Sequence, residues 1–584
     1  MFAKIPEKYM HLVRWVLAIS WLGLILSLFY DPISVYLTDP SSPIGFLKDP
    51  EQLVLVQGQP LEVSDAYPLG ARLFWGMIVP SAIMFVLVFG HEAWRRICPL
   101  YFFSQIPRAL GLEPRLDIEK NTWLIRNHLY LQFGLFFIGL TSRILFINSA
   151  RPVLAVFLIV TILCAITMVF LYGGRSWCHY VCPFGMVQMV FTGPRGLLDS
   201  QAHTTPSGSI TQSMCRTTDK STGKEISACL SCKKPCMDID SEGSYWEQLN
   251  KPGRKLVQYG YVGLVVGYFL YYWLYAGNFN YYLSGYWTHE TDQIASIFKP
   301  GFYIFNQAIP LPKLIAVPLA FAFFILASYL ICSHIEKYCV TTLHRQRQAE
   351  SSWQETKEIA RHRVFSLCSF FAFNFFFIYG GRPEINQFPL PLQLAFQGLV
   401  LMVSSFWLYQ TWGRSSEQYK MESLADRLRR KLKKLPIDFT RFFNGRSLEQ
   451  LKANEVDIIY RLLPSVTKQD RLQVYKDILL DALDVGNLTP QESLDGLKQL
   501  RQKMEITDEE HNEILITIAD ENLGVGRFLI SNEPTKIKKG KNWHPADGST
   551  RIRRPSLPTD NEQTKARRPD NQFLEKERTR IRPK

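Results

Sequence analysis

The chain has 584 residues, 47% of them hydrophobic and 13% aromatic, with a formal net charge of +14. Eleven cysteines in this length are too few for a disulfide scaffold, and their local C-x-x-C spacing favours metal binding over disulfides. The apolar residues come in blocks over roughly the first three quarters, and the remainder is charged.

The first block, LVRWVLAISWLGLILSLFY, is too long for the apolar core of a signal peptide and has no small-residue cleavage site, so it is expected to be an anchor. Membrane helices need roughly 17–25 apolar residues. Eight segments qualify: 11–30, 72–90, 129–148, 152–173, 256–277, 313–332, 364–380 and 392–412. Loop 31–71 is acidic, whereas the loop after the second segment carries Arg95, Arg96, Arg108, Arg115, Lys120 and Arg126. Loops 174–255 and 333–363 are again basic. The positive-inside rule therefore predicts both termini, Cys98, Cys178, Cys182 and all of 174–255 on the cytoplasmic side, where thiols stay reduced.

This predicts an all-α polytopic membrane protein with about eight spans, set in a prokaryotic-type plasma or internal membrane. Residues 1–173 form a first bundle with a Cys-Pro elbow, 174–255 a cytoplasmic insert and 256–412 a second bundle. Residues 413–446 read as a basic amphipathic helix on the lipid surface rather than a nucleic-acid site. Residues 447–525 read as a small helical docking or regulatory domain with 16 acidic and 8 basic residues, open to a protein partner. Thr489-Pro490-Gln491-Glu492 and Thr507-Asp508-Glu509-Glu510 are its helix-start signals. Residues 526–584 form a basic tail whose composition predicts disorder.

Two segments are alike. HEAWRRICPLYFFSQIPRALGL (91–112) follows the second span and RSWCHYVCPFGMVQMVFTGPRGLL (175–198) the fourth. Aligned on Cys98-Pro99 and Cys182-Pro183, Trp94 falls where Cys178 stands, which suggests a two-helix unit used twice. In the insert, ACLSCKKPCMDID spaces Cys229, Cys232 and Cys236 as C-x2-C-x3-C. A ferredoxin loop runs C-x2-C-x2-C-x3-C-P. Ile226 occupies its first cysteine position and Met237 its proline, so a fourth thiolate must come from Cys215 or Cys182. A four-cysteine structural zinc site is the competing reading, but it normally shows two close pairs.

WCHYVCPFGMVQ followed by CLSCKKPC resembles the membrane-bound polyferredoxin family over roughly residues 72–250. That family includes iron–sulfur membrane subunits of nitrate reductase systems, the nitrous oxide reductase maturation protein and the cytochrome oxidase assembly ferredoxin. The resemblance implies one or two 4Fe–4S clusters held by Cys178, Cys182, Cys229, Cys232 and Cys236, with Cys215 and Cys98 as further candidates. It also implies electron transfer at the membrane, with a quinone or a redox protein as partner. No nucleotide fingerprint, flavin motif or substrate pocket is visible, so a conduit is expected rather than a complete enzyme. A redox sensor or assembly factor signalling through 447–525 is the alternative, and a transporter with a zinc insert a weaker one.

Other residues have simpler readings. His91, His128, His179, His334 and His362 fall near the cytoplasmic ends of expected helices, where they could ligate haem, accept a quinol proton or form interfacial hydrogen bonds. Cys164 and Cys368 are expected as small buried hydrophobes, and Cys332 and Cys339 flank His334. Arg143 is expected to snorkel from the third span.

Overall fold

The computed structural model describes residues 7–39, 53–62, 66–148, 150–198, 240–290, 293–346, 352–432 and 506–521, with short pieces at 216–218 and 225–227 and a few single positions. Cys215, Cys229, Cys232 and Cys236 lie outside the described residues, as do 526–584 and most of 447–525.

The principal helices are α1 (Glu7–Phe29), α2 (Val79–Ile97), α3 (Pro99–Ser104), α4 (Thr122–Ser142), α5 (Arg151–Tyr172), α6 (Pro183–Thr192), α7 (Ser241–Gln248), α8 (Tyr261–Ala276), α9 (Lys313–Gln346), α10 (Trp353–Tyr379), α11 (Leu390–Trp412) and α12 (Ser416–Leu432). Their starts follow local chemistry. The side chains of Asn121, Asp240 and Ser352 accept from the amides of Leu124, Gly243 and Glu355 at 3.1, 2.8 and 3.2 Å. Prolines 99, 152 and 183 occupy first-turn positions, where a missing N–H costs nothing.

Among the described residues seven helices are long and apolar enough to cross a membrane: Tyr9–Phe29, Leu69–His91, Thr122–Ile147, Arg151–Tyr172, Lys313–Gln346, Trp353–Tyr379 and Leu390–Trp412. The expected eighth span, 256–277, is helical but differs in kind. It is a π-helical turn, Leu256–Gly260, running into α8. Tyr261, Tyr268, Tyr271 and Tyr272 are buried there, so α8 is an inner strut packed against α9 and α10. Buried tyrosine hydroxyls need partners. Tyr268 and Tyr272 bond each other at 2.8 Å, and Tyr271 donates to the Gly301 carbonyl at 2.9 Å.

Away from the elbows, hairpins β1–β2 (Leu53–Val56, Gln59–Glu62) and β5–β6 (Pro300–Ile304, Gln307–Pro312) tie the two bundles together. The Gln57 amide donates to Ala276 O at 3.1 Å, and its side chain donates to Pro300 O at 3.0 Å. Arg143 does not snorkel. It is 5% exposed, its guanidinium carbon lying 4.1, 4.9 and 5.7 Å from the rings of Trp75, Tyr268 and Trp287. Facing π-systems hold the charge in place of water.

Helix α12 covers part of the segment expected as a basic surface helix, and it is tied to protein. Arg414 bridges Glu242 at 2.8 Å and Glu422 at 2.7 Å. Arg195 bonds both carboxylates as well, and Tyr419 donates to Asp240. Breaking a buried pair costs about 3–5 kcal/mol because one charge is left uncompensated. Glu242→Gln should therefore raise amide exchange throughout α12, and unchanged exchange there would remove the ion network as its anchor. Burial pushes the Glu422 carboxyl up, but Arg414 and Arg195 outweigh it and hold the group below the usual carboxylate range. Its contribution is present above the unfolded value of about 4.3 and fades as pH falls through the lower folded value, so acidification loosens the same contact.

Candidate iron–sulfur site

Both Cys-Pro elbows form, and their backbones coincide. Cys98 has φ −59° and ψ 117°, and Cys182 has φ −56° and ψ 120°. Each ends one helix and begins the next. Each is preceded by a glycine that breaks the helix in a conformation open to glycine: Gly90 at φ 69°, ψ −167° and Gly173 at φ 69°, ψ −174°. The copies differ by one residue. The Cys98 amide donates to Trp94 O at 2.9 Å, an α-helical bond, whereas the Cys182 amide donates to Trp177 O at 2.8 Å, one residue longer. The extra residue is absorbed in the π turn Trp177–Val181. Trp94 thus corresponds to Trp177, not to Cys178, and the alignment on spacing alone is corrected by one position. Cys178 lies inside the wider turn.

The two units pack reciprocally. Helix α2, which enters the first elbow, packs on α6, which leaves the second; α3 packs on α5 in the same sense. Trp94 lies against Phe184 with ring centroids 4.8 Å apart, and His91 Nδ1 lies 2.9 Å from Gln188 Oε1. After α6 the chain returns to α2, where the amides of Leu197 and Leu198 donate to Leu87 O and Val88 O at 2.9 and 2.6 Å. Gly196 fits there because a Cβ would lie 2.6 Å from Gly90 N.

This arrangement brings Cys98, Cys178 and Cys182 within electrostatic reach of one another. Burial pushes the Cys98 thiol up to about 12, with Cys178 adding to the effect, while the amides of Tyr101 and Leu100 and the Arg175 charge oppose it. Burial likewise raises Cys182, reinforced by Cys178 and Cys98 and opposed by the amides of Gly185 and Phe184. Both sulfurs thus sit at a helix start with the second and third following amides turned to them, which offsets part of the burial that raises them. Arg175, 4% exposed, lies 4.2 Å over the Tyr101 ring. The Gln132 carboxamide donates to Cys178 O and His179 O at 3.4 and 3.3 Å, fixing the π turn to α4.

Among the described residues no three His, Cys, Asp or Glu side chains gather tightly enough for one metal ion. The elbow thiols act on one another without converging on a point. In a polynuclear iron–sulfur cluster the thiolates bind different irons, so its ligands need not meet at a single ion. One buried and two half-buried sulfurs, the amide donors at Cys98 and Cys182 and the Arg175 charge near Cys98 suit an anionic cluster in charge and in donor type.

The remaining candidates fall elsewhere. Cys332 and Cys368 meet across α9 and α10 with sulfurs 3.7 Å apart, Cys339 is half-buried and Cys164 is exposed. His362 has both ring nitrogens engaged: Nε2 lies 2.8 Å from Thr411 O, and Nδ1 2.9 Å from the Tyr245 hydroxyl. His334 bonds Leu330 O on its own helix at 2.8 Å, and the His128 ring lies 5.4 Å from that of Tyr180. His179 is buried beside Cys178 in the π turn. The contribution of Gln132 was hidden from sequence reading, because a glutamine within an apolar span carries no motif.

A family model described as a 4Fe–4S binding domain matches residues 154–199, which hold most of α5, the second elbow and α6. The chain is thus an iron–sulfur protein with membrane-length helices, and a 4Fe–4S cluster is its cofactor. Comparison with curated proteins and with solved structures returns no significant match.

Proposed function

We propose that the protein is a membrane-bound conduit, passing electrons between a membrane carrier, a quinone or a redox protein, and a partner. The observation that carries this reading is the reciprocal packing that brings Cys98 to Cys178 and Cys182, which lie within the matched 4Fe–4S domain. In this reading those thiols hold one cluster, completed by a further donor, on the cytoplasmic side of the membrane. Strands β3 (Arg216–Thr218) and β4 (Glu225–Ser227) pair antiparallel with Arg216 opposite Ser227. Cys215 directly precedes the first strand and Cys229 follows the second by two positions. That pairing supports Cys215 as the thiolate completing Cys229, Cys232 and Cys236, which frees Cys182 for the elbow.

The attachment of α12 to α7 favours a second reading. It joins the segment leading toward 447–525 to the end of the insert, a path by which a cluster could signal. Sustained reduction by a quinol supports the conduit, and a redox change that alters only partner affinity supports the sensor.

Anaerobic purification followed by iron, acid-labile sulfide and EPR measurements tests the cofactor assignment. Iron and sulfide in equal amounts are expected, with Cys232→Ser losing the insert's share. Zinc without sulfide would overturn the reading, and an unchanged spectrum in Cys232→Ser would clear that residue.

A further inference from the structure

We propose that a cavity at the elbow end of the second bundle is a binding site for one anionic phospholipid. The cavity measures about 640 Å³ and lies between α4, α9 and the turn joining α7 to the π turn before α8. That volume falls within the range of roughly 300–1,000 Å³ seen for small-molecule sites.

Its lining is divided by chemistry. The charged groups that line it, Lys251, Lys255 and Arg361, are all cationic. Glu247 pairs Lys251 at 2.5 Å. Lys255 and Arg361 share one carboxylate, Glu336, at 2.5 and 2.9 Å. Two cations share this one anion and Lys255 is still 34% exposed, while a further carboxylate, Glu358, accepts from the lining residue Asn250 at 2.8 Å. The opposite wall is apolar: Phe137 from α4, with Ala322 and Leu326 from α9. Leu326 is 59% exposed, so this wall runs onto the face that the helices turn to the bilayer.

A positive mouth above an apolar wall that opens sideways matches a molecule with a phosphate at one end and a hydrocarbon chain at the other. Lys251 and Lys255 belong to the basic loop that the positive-inside rule assigns to the cytoplasmic side, so the mouth is expected at headgroup depth. Free phosphate would reach the cations and leave the wall bare; a neutral lipid would cover the wall and offer the exposed Lys255 no anionic headgroup. The site is independent of the cluster assignment, because its residues belong to the scaffold.

The test uses the full-length holoprotein in nanodiscs containing phosphatidylglycerol and phosphatidylcholine in equal amounts, followed by native mass spectrometry. One phosphatidylglycerol is expected to remain after phosphatidylcholine has been stripped. Each lysine near an anionic surface is worth about fivefold in binding, so Lys251→Gln and Lys255→Gln should each weaken retention by about that factor. Ala322→Phe, which fills the chain track and leaves the charges intact, should also lose the lipid. Iron content serves as the folding control for all three. Equal retention of both lipids, wild-type retention in the variants, or displacement by inorganic phosphate or by a short-chain quinone would each overturn the proposal.

Discussion

Cys98→Ser is expected to remove the elbow cluster as completely as Cys182→Ser. Spacing sets Cys98 apart, alone and 80 residues before its nearest cysteine partner of the second elbow, Cys178. The fold reverses that impression. Cys98 and Cys182 have the same backbone conformation, the same helix-start position and the same two following amides turned to the sulfur. Serine keeps the size and loses the soft thiolate that iron requires. If the insert holds its own cluster, iron and sulfide should both fall by about half, with one EPR component lost. Cys164→Ser, at an exposed position on α5, should leave both unchanged. Full iron and an intact spectrum in Cys98→Ser would restrict the elbow's ligands to Cys178 and Cys182.

Gly185→Ala should be nearly as severe although it removes no ligand. An added Cβ would stand 2.4 Å from Cys178 O and 3.2 Å from Gln132 Nε2. The oxygen is backbone in the π turn, so the turn must open before the methyl group fits. Overpacking of this kind costs about 1–3 kcal/mol, and here the movement falls on the peptide that positions a sulfur. The variant should insert into the membrane and bind little iron. Gly134→Ala is the control, since a Cβ there meets nothing within 4 Å. Wild-type iron content in Gly185→Ala would show that the turn relaxes without moving Cys178.

What could be read from the sequence follows from the range of each interaction. Spans, caps and Cys-Pro elbows are local, so periodicity and spacing expose them. The tyrosine-rich segment 256–277 was correctly seen as a helix, but its burial depends on α9 and α10 closing over it. The repeat was visible, yet its register was off by one, because spacing counts residues and a π turn hides one. The aromatic enclosure of Arg143 draws on Trp75, Tyr268 and Trp287, distant positions with no pattern to link them. The same holds for Glu242, which takes its arginines from the chain just after the second elbow and from the exit of α11.

The crossed packing of the two elbows sets an order of events during synthesis. Neither helical hairpin contains the full group of sulfurs, and the first stays open until Leu197 and Leu198 return to α2. A nascent chain that has released only Cys98 offers a lone thiol with no enclosure. If these thiols hold the elbow cluster as proposed, the earliest moment for seating it comes after the second hairpin has entered the bilayer and closed on the first. On the proposed ligand set, delivery of the elbow cluster becomes a checkpoint on membrane insertion, and chains in which the second hairpin fails to dock are expected to lack that cluster.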